Sequence, residues 1–193
     1  MLNSIPEKIT SVLVENEIIE SDDFEIYRYG FEALIYFIVN ISVALLIGII
    51  FDRVIHTIVF LSCYCTLRQF TGGYHARNYT ECTLTFVVIY LITIFIDNNI
   101  DVDQYKYILI LFLILSIIII YKLSPMEHRN KPLSSSEKKH YRMVAMNIVV
   151  AASLVFILSI WLDIFKSYAI YILFAIVWIC ILLILGFCIN LDR

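Results

Sequence analysis

Six apolar runs separated by short polar breaks dominate the 193-residue chain and leave little room for anything but a bundle of membrane-crossing helices. The runs cover residues 31–51, 54–67, 82–96, 105–123, 143–162 and 168–189. A bilayer core takes about 20 helical residues, so four runs have full length, while 54–67 and 82–96 fall short. With 61% hydrophobic residues and a mean hydropathy of +0.87, the chain lies well above the roughly 45–50% of soluble domains. The expectation is an all-α polytopic integral membrane protein with about six transmembrane helices. It forms one membrane-embedded domain over 1–193, with an amphipathic N-terminal segment at 1–30 and the helices and their loops at 31–189. The absence of a nucleotide-binding motif argues against an ATP-driven pump, and nothing in the sequence calls for a nucleic-acid partner.

The N-terminal segment repeats Ile5, Ile9, Val12, Leu13, Ile18 and Ile19 at roughly helical spacing among Glu7, Glu15, Glu17 and Glu20. That pattern predicts one or two helices lying along the membrane interface or on the protein's own cytoplasmic face, with docking of a substrate peptide as a second use. Its many charges and the lack of an early apolar core speak against a cleavable signal peptide. Six crossings put both termini on one side, and the basic residues select which. Of the 14 Lys and Arg, all but Arg53, Lys106 and Lys166 fall on the side of the termini, a split of 11 to 3. Positive charge collects on the cytoplasmic side, so both termini and the 68–81 loop are expected there.

That loop is the part of the chain hardest to explain as scaffold. From Arg68 to Cys82 it reads Arg-Gln-Phe-Thr-Gly-Gly-Tyr-His-Ala-Arg-Asn-Tyr-Thr-Glu-Cys, and the two short runs flank it. Short spans are completed by buried polar segments or by local thinning of the bilayer. A loop at the membrane edge, dipping into the protein, is therefore expected, since polar backbone at that depth needs protein or trapped water as partners. An imidazole at His75 can take the thiol proton of Cys82 and leave the nucleophilic thiolate. On one straight helix the two side chains would stand about 10.5 Å apart along the axis. Asn78 followed by Glu81 reads as a helix start instead. It puts Cys82 near the first turn, where the helix dipole favours a thiolate, and leaves His75 on a segment that Gly72 and Gly73 allow to fold back.

On residue chemistry alone Cys82 is either a nucleophile or an inert small residue, and His75 either its base or an interfacial histidine. Cys63, Cys65, Cys180 and Cys188 lie within apolar runs and read as packing residues. Arg68 either holds the loop through an acidic partner such as Glu32 or Glu81, or binds a substrate carboxylate. Gln69 and the amides at the helix start are candidate oxyanion donors. One Cys and one His seven residues apart fall short of a zinc site, so neither a metal nor another cofactor is expected. Between Lys122 and Arg142 lies a basic loop with Pro125 and Pro132 as helix breakers, and Ser134 to Glu137 marks the next helix start.

The pattern Arg68, Gly72, Gly73, His75, Ala76 and Cys82, with the later Pro125 and Asn130-Lys131-Pro132-Leu133, resembles the accessory gene regulator B (AgrB) family. The resemblance implies a bacterial, multi-pass cell-membrane cysteine endopeptidase that processes the precursors of cyclic quorum-sensing peptides. Cys82 and His75 would be catalytic, and Arg68, Gln69, Gly72 and Gly73 would support them. Lys131 and Pro132 belong to a family motif that shapes the catalytic face or contacts the substrate. The implied partners are a small amphipathic propeptide, the lipid bilayer and a second copy of the chain in a homodimer. The alternatives are a peptide transporter or binding protein without proteolytic activity, for which Cys82 is replaceable, and a structural membrane subunit that tolerates change throughout the loop.

Overall fold

The computed structural model describes residues 4–73, 79–126, 133–162 and 165–191. Among them there are helices and no strand. Helix α1 spans Ser4–Glu15, and a 3-10 turn at Ser21–Asp23 leads into α2, Phe24–Ile50. The remaining helices are α3 Val54–Thr71, α4 Tyr79–Asn99, α5 Val102–Leu123, α6 Ser135–Trp161 and α7 Lys166–Leu191. Five helices among the described residues are long and apolar enough to cross a membrane: Ser21–Ile50, Thr80–Asn99, Val102–Leu123, Ser135–Trp161 and Lys166–Ile189. α3 is not one of these, because its 18 residues include Arg68, Gln69 and His56.

The helices outrun the apolar stretches that announce them, because charged and amide side chains extend a helix as readily as apolar ones. α3 continues through Arg68 and Gln69 until Gly72, where φ is +67° and ψ −142°, a conformation that glycine alone adopts readily. α6 begins eight residues before the apolar run at 143. Its start is fixed by a capping box in which the Ser134 hydroxyl accepts from the Glu137 amide at 3.3 Å and the Ser134 amide donates to the Glu137 carboxylate at 2.8 Å. α5 starts at an Asp101 cap that accepts from the Asp103 amide at 2.9 Å.

α7 is the central post. It is apolar on every side, the pattern of a helix enclosed by others, and Ala169 to Leu173, Ala175, Ile176, Ile179 and Leu183 are buried. It packs against α3, α4, α5 and α6. Hydroxyls within the bundle return to their own helix: Ser153 donates to the Val149 carbonyl at 2.6 Å and Thr93 to that of Ile89 at 2.9 Å. Such bonds satisfy a polar group where no water competes. Trp178 Nε1 reaches Thr93 Oγ1 at 3.0 Å and ties α7 to α4.

At one end of the bundle Asp97 accepts from the Tyr171 hydroxyl at 3.2 Å and pairs with Arg53 at 3.6 Å. His56 lies there against Tyr168 and Tyr171 with tilted rings, the centroids 4.7 and 5.0 Å away and its Nε2 buried without a hydrogen-bond partner. At this same end α2 lies hard against α3. A methyl group added to Gly48 would overlap Thr57 Oγ1 and stand 3.1 Å from Thr57 Cβ, and Ala44 is fully buried. Thr57 also shares a short hydrogen bond with Tyr90 of α4. Toward the other end α2 departs from its neighbours. It presents Tyr29, Leu34 and Phe37 as exposed residues, and α1 packs on it.

Candidate functional site

The divergence of α2 opens a cavity of about 750 Å³ among α2, α3 and α4. One wall is the α2 stripe Tyr29, Ala33, Leu34, Tyr36, Phe37, Asn40 and Ile41; the opposite wall is Leu61, Tyr64, Cys65, Arg68 and Gln69 of α3. Cys82, Thr85 and Phe86 of α4 and Leu182 of α7 complete it. α3 runs antiparallel to α2 while α4 runs parallel to it. The end of α3 and the start of α4 therefore meet at the mouth, and Arg68, Gln69 and Cys82 share one end of the cavity.

α4 begins at Tyr79, so Cys82 is the fourth residue of the helix and its thiol is exposed. It stands at the positive end of the α4 dipole, which favours an anion at a helix start. Across the cavity, Arg68 adds a fixed positive charge to the same lining. Arg68 is half-buried, and its Nη1 donates to the Gly72 carbonyl oxygen, drawing the chain after α3 back over the last turn. Gly73 follows with φ +119°; a methyl group there would overlap Arg68 Nη1 and stand 3.3 Å from the Leu182 carbonyl oxygen. Both glycines thus occupy backbone conformations that a side chain disfavours, and both are hemmed in by neighbours.

The segment after α5 closes against the same corner. The Met126 amide donates to the Thr71 carbonyl at 2.9 Å, and a methyl on Gly72 would overlap the Met126 carbonyl oxygen. Arg142 of α6 donates through Nε to the Ser124 carbonyl at 2.8 Å, and Phe70 meets Tyr141 edge-on at 5.8 Å. The Gly72 turn, the Pro125 segment and the start of α6 are thereby joined, although 52 residues separate Gly72 from Ser124. His75, Lys131, Pro132 and the expected cap Asn78 lie outside the described residues.

Residues 6–184 match the family described as Accessory gene regulator B. The chain belongs to this family. A relative from Clostridium perfringens (strain SM101 / Type A), named "Putative AgrB-like protein", is 26% identical over 189 residues, covering 91% of this chain and 88% of its own. A second from Clostridium perfringens (strain 13 / Type A), named "Putative AgrB-like protein 2", is 28% identical over 192 residues, covering 93% and 87%. No solved structure matches the chain.

This AgrB family member is therefore a membrane protein whose match spans the helices and the cavity together. Of the residues singled out in the sequence, Arg68, Gln69 and Cys82 line one cavity, and Gly72 and Gly73 lie beside Arg68. Sequence reasoning passed over Asn40 and Tyr64 and read Cys65 as a packing residue; all three share that lining. A lone amide within an apolar run is the signal that points to Asn40, since polar groups at membrane depth are costly without a use. Among the described residues no group of three or more His, Cys, Asp and Glu side chains is placed to hold a metal ion.

Proposed function

We propose that the protein is a membrane-embedded cysteine endopeptidase that cleaves a small amphipathic propeptide of a cyclic signalling peptide. The observation that carries the reading is the position of Cys82, exposed in the first turn of α4 on a largely apolar cavity whose mouth holds Arg68 and Gln69. Family membership supports the substrate class.

His75 takes the Cys82 proton, and the thiolate adds to the scissile carbonyl. Gln69 and the amides at the α4 start donate to the oxyanion. Collapse breaks the C–N bond, His75 returns its proton to the leaving amine, and the N-terminal part of the peptide stays on Cys82 as a thioester. A thiol or hydroxyl of that same part then attacks the thioester. The C–S bond breaks, a thiolactone or lactone ring closes, and Cys82 is regenerated. Water in the cavity would divert the thioester to a linear acid, so an apolar enclosure favours the ring. Gly72 and Gly73 give the loop its turn, and the family resemblance implies that Lys131 and Pro132 shape the catalytic face or contact the substrate.

In this reading α3 is a sixth crossing, packed on α2, α6 and α7. The excess of basic residues supports a cytoplasmic position for both termini and the site, where thiols remain reduced. The working unit is a homodimer.

The test is co-expression with a short candidate propeptide, comparing wild type with Cys82→Ala and Cys82→Ser by mass spectrometry. Wild type is expected to release the shortened peptide and to carry an acyl adduct on Cys82, whereas the Ala variant inserts normally and does neither. Cleavage that survives Cys82→Ala rules out this mechanism and favours a binding or transport role.

A further inference from the structure

The α2 wall contains one polar group that nothing in the mechanism above uses. Asn40 lies 16 residues beyond the start of α2, about 24 Å along the helix, well inside the bilayer. It lines the same cavity as Cys82, and its Oδ1 is buried without a hydrogen-bond partner. A carbonyl in that position is unfavourable unless some ligand donates to it.

The shape of the cavity narrows the choice of ligand. From Tyr29 to Ile41 the lining follows α2 for 12 residues, about 18 Å. At about 3.3–3.6 Å per residue, an extended chain of about five residues runs that length. Its backbone N–H groups stay free to donate, whereas a helix turns them onto its own carbonyls. A lipid acyl chain also fits, but it carries no donor and leaves Oδ1 unsatisfied.

Resting on the endopeptidase reading, we propose that the α2 wall is the selectivity surface of the enzyme. It takes the apolar stretch of peptide beside the scissile bond in extended form, and Asn40 accepts a hydrogen bond from one donor on that stretch. Leu34 and Phe37 supply the apolar contact between Asn40 and the mouth. The amide's last torsion is soft, so Oδ1 turns to the cavity without a change of helix. The donor is either a side-chain hydroxyl or a backbone N–H of the peptide.

The test uses acetyl-tetravaline vinyl sulfone, an extended apolar peptide with a thiol-reactive end, on wild type and Asn40→Leu in lipid nanodiscs. Leu is close to Asn in size, so the variant removes the amide without emptying the wall. Four further probes replace one Val each by the isosteric Thr, and others N-methylate one amide each. Peptide mapping gives the labelling rate at Cys82, separately from Cys65, relative to the rate with iodoacetamide on the same protein. In wild type one Thr probe is expected to react about tenfold faster than its Val parent, or one N-methyl probe about tenfold slower, the factor that one hydrogen bond supplies. The first result identifies a hydroxyl donor and the second a backbone donor, and Asn40→Leu abolishes either.

If the peptide labels Cys82 faster than ethyl vinyl sulfone does, yet the ranking of probes is unchanged in Asn40→Leu, the role of Asn40 is overturned while the peptide site stands. If no peptide outpaces ethyl vinyl sulfone, the cavity does not take peptide and both readings fall.

Discussion

Gly72→Ala tests whether the corner beside Cys82 is built as tightly as its geometry states. The residue has φ +67° and ψ −142°, a region that costs a non-glycine residue about 1–3 kcal/mol. The new methyl would also overlap the Met126 carbonyl oxygen and sit 3.3 Å from the carbonyl carbon. That neighbour is backbone, so relief requires the Pro125–Met126 segment to retreat and weakens the Met126 amide to Thr71 carbonyl bond of 2.9 Å, worth about 0.5–1.5 kcal/mol. The sum is about 2–4 kcal/mol. For a chain of this length about 2–4 °C of Tm accompanies each kcal/mol, so thermal unfolding in detergent should fall by about 4–16 °C. Gly30→Ala is the internal reference. Nothing stands within 4 Å of the added methyl, and exchanging Gly for Ala within a helix stabilises by up to about 1 kcal/mol. Its Tm should hold or rise. If Gly72→Ala unfolds within a degree of wild type, Gly72 does not occupy this turn and the closure against Met126 is wrong.

At the opposite end, Gly48→Ala drives a methyl into Thr57 Oγ1 and displaces the hydroxyl from Tyr90. A loss of about 1–3 kcal/mol, measured by thermal unfolding, is expected, and Gly48→Ala combined with Thr57→Ala should recover much of it. Ser134→Ala removes the capping box of α6 and should cost about 1 kcal/mol, read from the same melts. Ser134→Asp, which keeps an acceptor at the cap, should stay within a few tenths of a kcal/mol of wild type.

What was legible in the sequence is what local chemistry decides. The Ser134–Glu137 cap and the start of α4 after Asn78 each depend on a few adjacent residues, and each falls where those residues put it. Helix ends set back from the apolar runs were harder to read, because Arg68, Gln69 and the 135–142 segment are helical without being apolar. Hydropathy reports where lipid or core begins, not where hydrogen bonding stops. His56 lies against two tyrosines of α7, with their rings tilted to its own. That pairing joins residues more than 100 positions apart, and no local pattern records it.

The cavity escaped the sequence for a different reason: it is a consequence of unequal attachment. α2 is anchored to α3 where Ala44 and Gly48 remove the side chains that would hold the two backbones apart. Farther toward its start it carries Phe37, Tyr36 and Tyr29 on the cavity side, where large side chains stand in place of small residues like Ala44 and Gly48. Small residues at one end and aromatic ones at the other turn an ordinary helix contact into a wedge-shaped gap. The gap opens beside Cys82 because α3 ends and α4 begins at the wide end of the wedge. The position of the thiol and the existence of the space before it thus have independent origins, one in the start of α4 and the other in the side-chain gradient of α2. Narrowing the wedge with Ala33→Phe should therefore slow peptide access to Cys82 while leaving its reaction with iodoacetamide within about twofold of wild type, because a two-carbon reagent needs only the mouth. Equal slowing of both reagents would mean that α2 controls the thiol itself rather than the path to it.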